Sequence, residues 1–377
     1  MSRALSTNSQ KPFHIPSLDG IRALSFLLVF WGHDRFKAIP GLFGVGVFFF
    51  LSGYLITTLM RMEIANTGRI SIGDFYLRRA FRILPPFYIV LFLIILVVKA
   101  DWLQGHYSIA DLGASVFYLT NYWNFYVHTI DMPGFNIFWS LSVEEHFYLV
   151  FPFVMLLMIR FKLARRAQAL TLLGICTAVL LWRFILVYHF HSLSLVFPTY
   201  TEPIRTMFGT DTRIDSILFG CVLALWRNPV LDDDSKQSWS LTIAGLVVLL
   251  GTFLYRNPEF RETIRYTLQG IALIPLFISA IKRPNHWAFR WLNTPPMRFV
   301  GVLSYTLYLV HYPCLKLAAG WSSNRVIVGM TALSMSMALA YFMHILVEKP
   351  LARFRRRLGS RTAEVVDQPV AEVVAVG

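Results

Sequence analysis

The sequence predicts an all-α, polytopic integral membrane bundle of about ten transmembrane helices, and three observations carry that prediction. Of 377 residues, 56% are apolar and only 15% are charged, a balance far from that of a soluble domain. The apolar residues gather in runs near the ~20 residues that a helix needs to cross a bilayer. Lysine and arginine collect in alternate connectors between those runs, as the positive-inside rule requires.

Along the chain the runs fall near 17–34, 42–60, 84–100, 137–159, 169–189, 213–226, 240–255, 264–281, 299–319 and 326–347. An eleventh apolar stretch, 109–126, is short and holds Asp111 and Asn121; it is expected to be interfacial or re-entrant rather than spanning. The first run carries Asp19 and Arg22 without a small-residue cleavage site, which argues against a removable signal peptide. The N-terminus, 61–82, 160–166, 227–239, 282–298 and the segment after 348 hold about twice the positive charge of the opposite connectors. Both termini are therefore expected in the cytoplasm. Three parts follow: a cytoplasmic segment 1–16, one membrane domain 17–350, and a disordered tail 351–377 that begins basic and ends small and weakly polar.

The net charge of +14 does not imply nucleic acid, because the basic residues are dispersed over short connectors instead of forming one soluble face. Cys176, Cys221 and Cys314 all lie in apolar runs without metal-ligand spacing, so neither a disulfide framework nor a metal site is expected.

Ionisable groups inside spans are costly and mark function by default. Arg22 and His33 are eleven residues apart in the first run, about 16 Å along a helix, which places His33 in the outer half of the membrane. It is either an interfacial cap beside Trp31 or a catalytic base. The fourth run opens FWSLSVEEHFYL, setting Glu144 and Glu145 about 8 Å below the outer interface. Neighbouring residues on a helix diverge by ~100°, so one of the two is expected to face the cavity of His33 and to orient its ring; interhelical pairing is the alternative. In DFYLRRAFRILPP, Arg78, Arg79 and Arg82 form a cytoplasmic fork suited to phosphate, with Arg79 and Arg82 one turn apart before Pro85 and Pro86 end that turn. The same arginines would also serve as topology determinants or lipid contacts.

Four further features remain open at this level. Ser52, next to Gly53 in mid-span, suits close helix packing or a substrate path. Arg213 and Asp215 suit a local ion pair or acceptor binding. Ser304, Tyr308 and His311 align on one helix face near Pro313. Glu348 and Lys349, before Pro350, suit a cap on the last span.

In this order and spacing, Arg22 and His33, FFFLSGYLIT, the RxxR of Arg79 and Arg82, WSLSVEEHFY, RIDSILFG and LSYTLYLVHYP together resemble the acyltransferase-3 family of multi-pass membrane O-acyltransferases, over about residues 15–350. The resemblance implies acyl-coenzyme A, most often acetyl-coenzyme A, as cytoplasmic co-substrate, with no permanently bound cofactor. It implies a hydroxyl of a cell-envelope glycan or lipid-linked sugar as acceptor, in the bacterial inner membrane. His33 would be the essential histidine with Arg22 as its partner, and Arg79 and Arg82 would engage the donor's phosphates. Two departures are Gly46, where relatives carry a polar or acidic residue, and His146, where glutamine is common. Some relatives add an esterase-like domain after the last span; without one, this chain is expected to complete the transfer itself or to pass the acyl group to a separate partner.

Direct transfer, with His33 taking the proton of the acceptor hydroxyl, is the expected mechanism, and an acyl-histidine intermediate is its variant. The alternative from another class is a proton-coupled transporter using His33, Glu144, Glu145, Asp215 and His311 as a relay. A non-catalytic membrane scaffold is the third reading. Acceptor choice is expected to reside in the connectors 100–138 and 189–213.

Overall fold

The apolar runs fold as helices. The computed structural model describes residues 15–34, 39–189, 202–232 and 237–358. Nearly all of the expected N-terminal segment, most of the tail and much of the connector 189–213 lie outside the described residues. In chain order the helices are α1 (Pro16–His33), α2 (Gly41–Thr67), α3 (Ile72–Lys99), α4 (Ile109–Val116), α5 (Thr120–Tyr126), α6 (Trp139–Arg160), α7 (Arg165–His189), α8 (Glu202–Phe208), α9 (Thr210–Trp226), α10 (Trp239–Leu254), α11 (Pro258–Glu262), α12 (Arg265–Lys282), α13 (Pro295–Ala319), α14 (Arg325–Met343) and α15 (Lys349–Leu358). No strand occurs among the described residues.

Each predicted run coincides with one of the longer helices. Five stretches are long and apolar enough to cross a membrane by length and composition alone: Gly41–Thr67, Ile72–Lys99, Trp139–Arg160, Arg165–Tyr188 and Arg325–Phe354. The last of them joins α14 to α15 through a π-helical turn at His344–Glu348. There Glu348 accepts from Thr306 of α13 at 2.5 Å and lies 2.9 Å from His344, so it ties the helix sideways instead of capping it. The remaining helices are shorter or less apolar.

One expectation is corrected, and the short stretch 109–126 proves to be two helices. Pro85 and Pro86 do not end a helical turn: α3 begins at Ile72, capped by the Ser71 hydroxyl, and runs through both prolines to Lys99. The prolines remove two backbone donors, but Tyr305 of α13 donates its hydroxyl to the Ile83 carbonyl at 2.9 Å and braces the helix there, as neighbouring helices commonly do at membrane prolines. The stretch 109–126 breaks into two helices of 8 and 7 residues, with Tyr118 between them at φ +56°. At ~1.5 Å per residue neither alone spans a bilayer.

Between lipid-exposed helices the hydrophobic effect supplies little driving force, so close packing and polar contacts hold the bundle together. The tightest seam joins α2 to α9. A Cβ on Gly53 would sit 2.0 Å from the Ile217 carbonyl oxygen, and one on Gly220 would sit 1.9 Å from that of Phe50. Only glycine permits this approach. α10 lies at the outside of the bundle and exposes Leu241, Ile243, Val247 and Leu250 at 50–61%, a belt that suits hydrocarbon. The three cysteines are buried and unbridged, in keeping with packing roles.

Candidate active site

Two cavities share a wall inside the bundle. α1 reaches both, with Arg22 at the inner one and Gly32 and His33 at the outer, because the eleven residues from Arg22 to His33 rise about 16 Å.

The inner cavity, of about 90 Å³, is bordered by Arg22, Arg79, Arg82, Glu144, Glu145 and Tyr148, with Ser52 and Ser304 in its lining. Ser52 donates to Glu144 Oε1 at 2.8 Å and accepts from the Tyr148 hydroxyl at 3.1 Å. The Arg79 guanidinium lies 5.1 Å from the Tyr148 ring centre, within cation–π range. Arg22 contacts Asp19 at 3.4 Å. Neither glutamate forms a direct ion pair among the described residues; three guanidiniums and two carboxylates instead face a common space. At ~10–15 Å³ per water, that space holds a handful of waters or the reacting end of a donor, not a whole coenzyme A.

The outer cavity, of about 400 Å³, contains His33 together with Thr129, Asn136 and Trp139. His33 Nδ1 lies 3.0 Å from His311 Nε2, and His311 Nδ1 lies 2.7 Å from the Tyr308 carbonyl oxygen. A carbonyl only accepts, so the proton of neutral His311 sits on Nδ1 and its Nε2 is a lone-pair acceptor. His33 Nδ1 must then donate. In neutral His33 this leaves Nε2 unprotonated, the state a general base requires.

Val45 and Tyr308 line both cavities and so form the partition. The Tyr308 hydroxyl is 2.6 Å from Ser140 Oγ, another inner-cavity residue, and 3.1 Å from the Ile137 carbonyl oxygen.

This placement corrects several expectations. The partner of His33 is His311, 278 residues away, and not a glutamate; both glutamates line the inner cavity instead. Arg78 leaves the arginine fork, since it points to the buried Glu63 at 3.0 Å. Arg213 and Asp215 do not pair with each other. Asp215 binds Arg183 at 2.7 Å and Thr267 at 3.0 Å, while Arg213 stacks on Tyr266 at 3.9 Å and near Phe49 and Trp139. Gly53 serves packing and Ser52 the cavity, so the two alternatives for this pair divide between its members. His146 turns to Thr210 at 2.7 Å, and Gly46 faces open space; neither lines the two cavities.

Sequence reasoning missed Glu63, Tyr148, Arg183, Ser140, Thr129 and Asn136. Arg183, alone and charged in the middle of an apolar run, was the one with a visible signal.

The family model Acyl_transf_3, described as an acyltransferase domain, matches residues 15–345. Over 325 residues the chain is 32% identical to YrhL of Bacillus subtilis, covering 81% of this chain and 49% of that one. It is 30% identical to the peptidoglycan O-acetyltransferase OatA of Listeria monocytogenes over 325 residues, 81% of this chain and 50% of the relative. With the O-acetyltransferase OatA of Staphylococcus aureus it shares 31% identity over 322 residues, 81% and 51% of the two chains. The chain thus spans about half the length of these relatives. No solved structure matches it.

Proposed function

The chain belongs to the acyltransferase-3 family, and from that premise we propose that it is a membrane O-acetyltransferase acting on a hydroxyl of a cell-envelope glycan, with acetyl-coenzyme A as donor. Relatives that act on peptidoglycan make that polymer the first acceptor to consider. The proposal includes ten spans in the plasma membrane, with both termini in the cytoplasm. Arg22, Arg79 and Arg82 then face the cytoplasmic half, and His33 faces outward.

The single observation that carries this reading is the partition. A cluster of arginines borders one cavity, His33 lines the other, and Tyr308 and Val45 line both. The nucleotide of the donor stays outside the narrow inner cavity, its phosphates on Arg79 and Arg82 through paired guanidinium bonds, and the pantetheine arm carries the thioester past Tyr308. His33 Nε2 takes the proton of the acceptor hydroxyl as its oxygen attacks the thioester carbonyl. The C–S bond breaks, the new C–O ester remains on the glycan, and the proton passes from His33 to the departing thiolate. His311 orients the imidazole and, through its own bond to the Tyr308 carbonyl, keeps the reactive nitrogen free. Hand-off to a separate partner is the variant for an acceptor that cannot reach the cavity. A proton-coupled transporter draws no support from the family.

The test compares base-labile O-acetyl esters on envelope glycans of the host carrying the unaltered protein or His33→Ala at equal membrane levels. Loss of a specific ester is expected. Unchanged esters at normal protein levels would sink the proposal.

A further inference from the structure

A third cavity, of about 270 Å³, lies at the His33 end of the bundle where α10 hands over to α12. Arg256, Arg261 and Arg265 line it, with Tyr255, Tyr266 and Gln269. Its lining contains no carboxylate. The two acids of the adjoining connector are engaged elsewhere: Glu259 accepts from Tyr188 at 2.8 Å and Glu262 from Thr206 at 2.5 Å. None of the three arginines forms an ion pair among the described residues. Arg256 and Arg261 are exposed and Arg265 is half-buried; Arg265 donates to the Tyr266 hydroxyl at 3.0 Å, and its Nε is buried with no hydrogen-bond partner. Behind this wall the buried Arg213 guanidinium stacks on the same Tyr266 ring, adding positive charge.

Two considerations turn this cluster into a site. Topology does not explain it: in the orientation proposed above the connector is extracytoplasmic, where the positive-inside rule disfavours basic residues. Its position also bears on the chemistry, because Gly41 and Leu42 line both this cavity and the one that holds His33, so a ligand seated here adjoins the proposed base.

We propose that Arg256, Arg261 and Arg265 bind a phosphate or diphosphate group of the acceptor, which positions its sugar hydroxyl at His33. Three uncompensated guanidiniums match a multiply charged phosphate better than a single carboxylate, and their planar donors suit its oxygens. This inference rests on the acetyl-transfer reading for the ligand's role, but not for its binding.

The experiment measures binding to the purified full chain in detergent without acetyl-coenzyme A, using inorganic pyrophosphate and farnesyl diphosphate as probes. Both should bind, and Arg256→Gln/Arg261→Gln, which alters only exposed side chains, should weaken each by about tenfold or more, the scale of one or two charge-assisted bonds. Arg265→Lys, which retains charge but not the fork, should weaken binding less. Tighter binding of the farnesyl probe would assign the phosphate to a lipid carrier; equal binding would assign it to a soluble phosphorylated glycan. Absence of binding, or binding undiminished in Arg256→Gln/Arg261→Gln, would overturn the proposal. His33→Ala should retain probe binding, so loss of acetyl transfer in that variant and loss of this site are read separately.

Discussion

Two buried clusters of charge sit a few helices apart and behave oppositely. Around Arg183 every short contact is direct: its guanidinium reaches Asp215 at 2.7 Å and the Thr212 carbonyl at 2.7 Å, and Asp215 also accepts from Thr267 at 3.0 Å. Arg183 and Asp215 have no exposed side-chain surface. Around Glu144 and Glu145 the same residue types stand off from one another across a cavity, bridged only at the edge by Ser52 and Tyr148. The first cluster clamps α7, α9 and α12 together; the second leaves room for a ligand. In this bundle, charge that meets its partner ties helices together, and charge held apart from its partners lies where we propose function.

The contrast is broken most severely at the site itself. His33→Ala should lower acetyl transfer by about 10²–10⁴-fold, the usual worth of a positioned base, while leaving thermal unfolding of the purified protein unchanged; a drop in stability of similar weight would move His33 to the structural side. Arg183→Met should do the reverse. It strands Asp215 in a dry interior at a cost of about 3–5 kcal/mol, seen as lost membrane yield and a lowered unfolding temperature, and the double variant Arg183→Met/Asp215→Asn should recover most of that loss. Arg79→Gln/Arg82→Gln should raise the KM for acetyl-coenzyme A by about 10–100-fold, the scale of one or two charge-assisted bonds, with a smaller change in kcat and none in stability.

The smallest effect concerns a third charged cluster outside the spans. Burial opposes the charge of Asp232, but the Arg61 guanidinium at 2.6 Å, the Asn228 backbone amide and Arg165 hold its carboxyl below the usual carboxylate range. A group depressed in the folded state stabilises above its unfolded value, near 3.9, and that contribution is lost as the pH falls through the folded value. The protection of the 227–232 amides against hydrogen exchange, taken relative to their intrinsic rates, should therefore be unchanged between pH 8 and 6 and fall only under strong acid, whereas Asp232→Asn should lower it at neutral pH.

Legibility differed from residue to residue. The apolar runs located every long helix, because a segment's transfer into hydrocarbon depends on its own side chains and its own satisfied backbone. They misplaced the start of α3 by twelve residues, since the two prolines read as a stop and the brace from Tyr305 is invisible in one dimension. Arg22, Arg79, Arg82, Glu144 and Glu145 were each singled out, and they line one cavity. That His33 faces a different cavity, and takes a histidine as its partner, was not legible.

What the chain carries in its linear order is the set of helices, the depth of each polar group along its own helix, and the family to which they belong. Which groups meet was decided in three dimensions: His33 with His311, Ser52 with Glu144, Arg183 with Asp215. In hydrocarbon one helix face is no more soluble than another, so apolarity does not choose a neighbour. Glycine seams such as Gly53 against Ile217 and Gly220 against Phe50 set the rotation and spacing of the helices, and that rotation determines whether two charges close into a bond or face each other across a space.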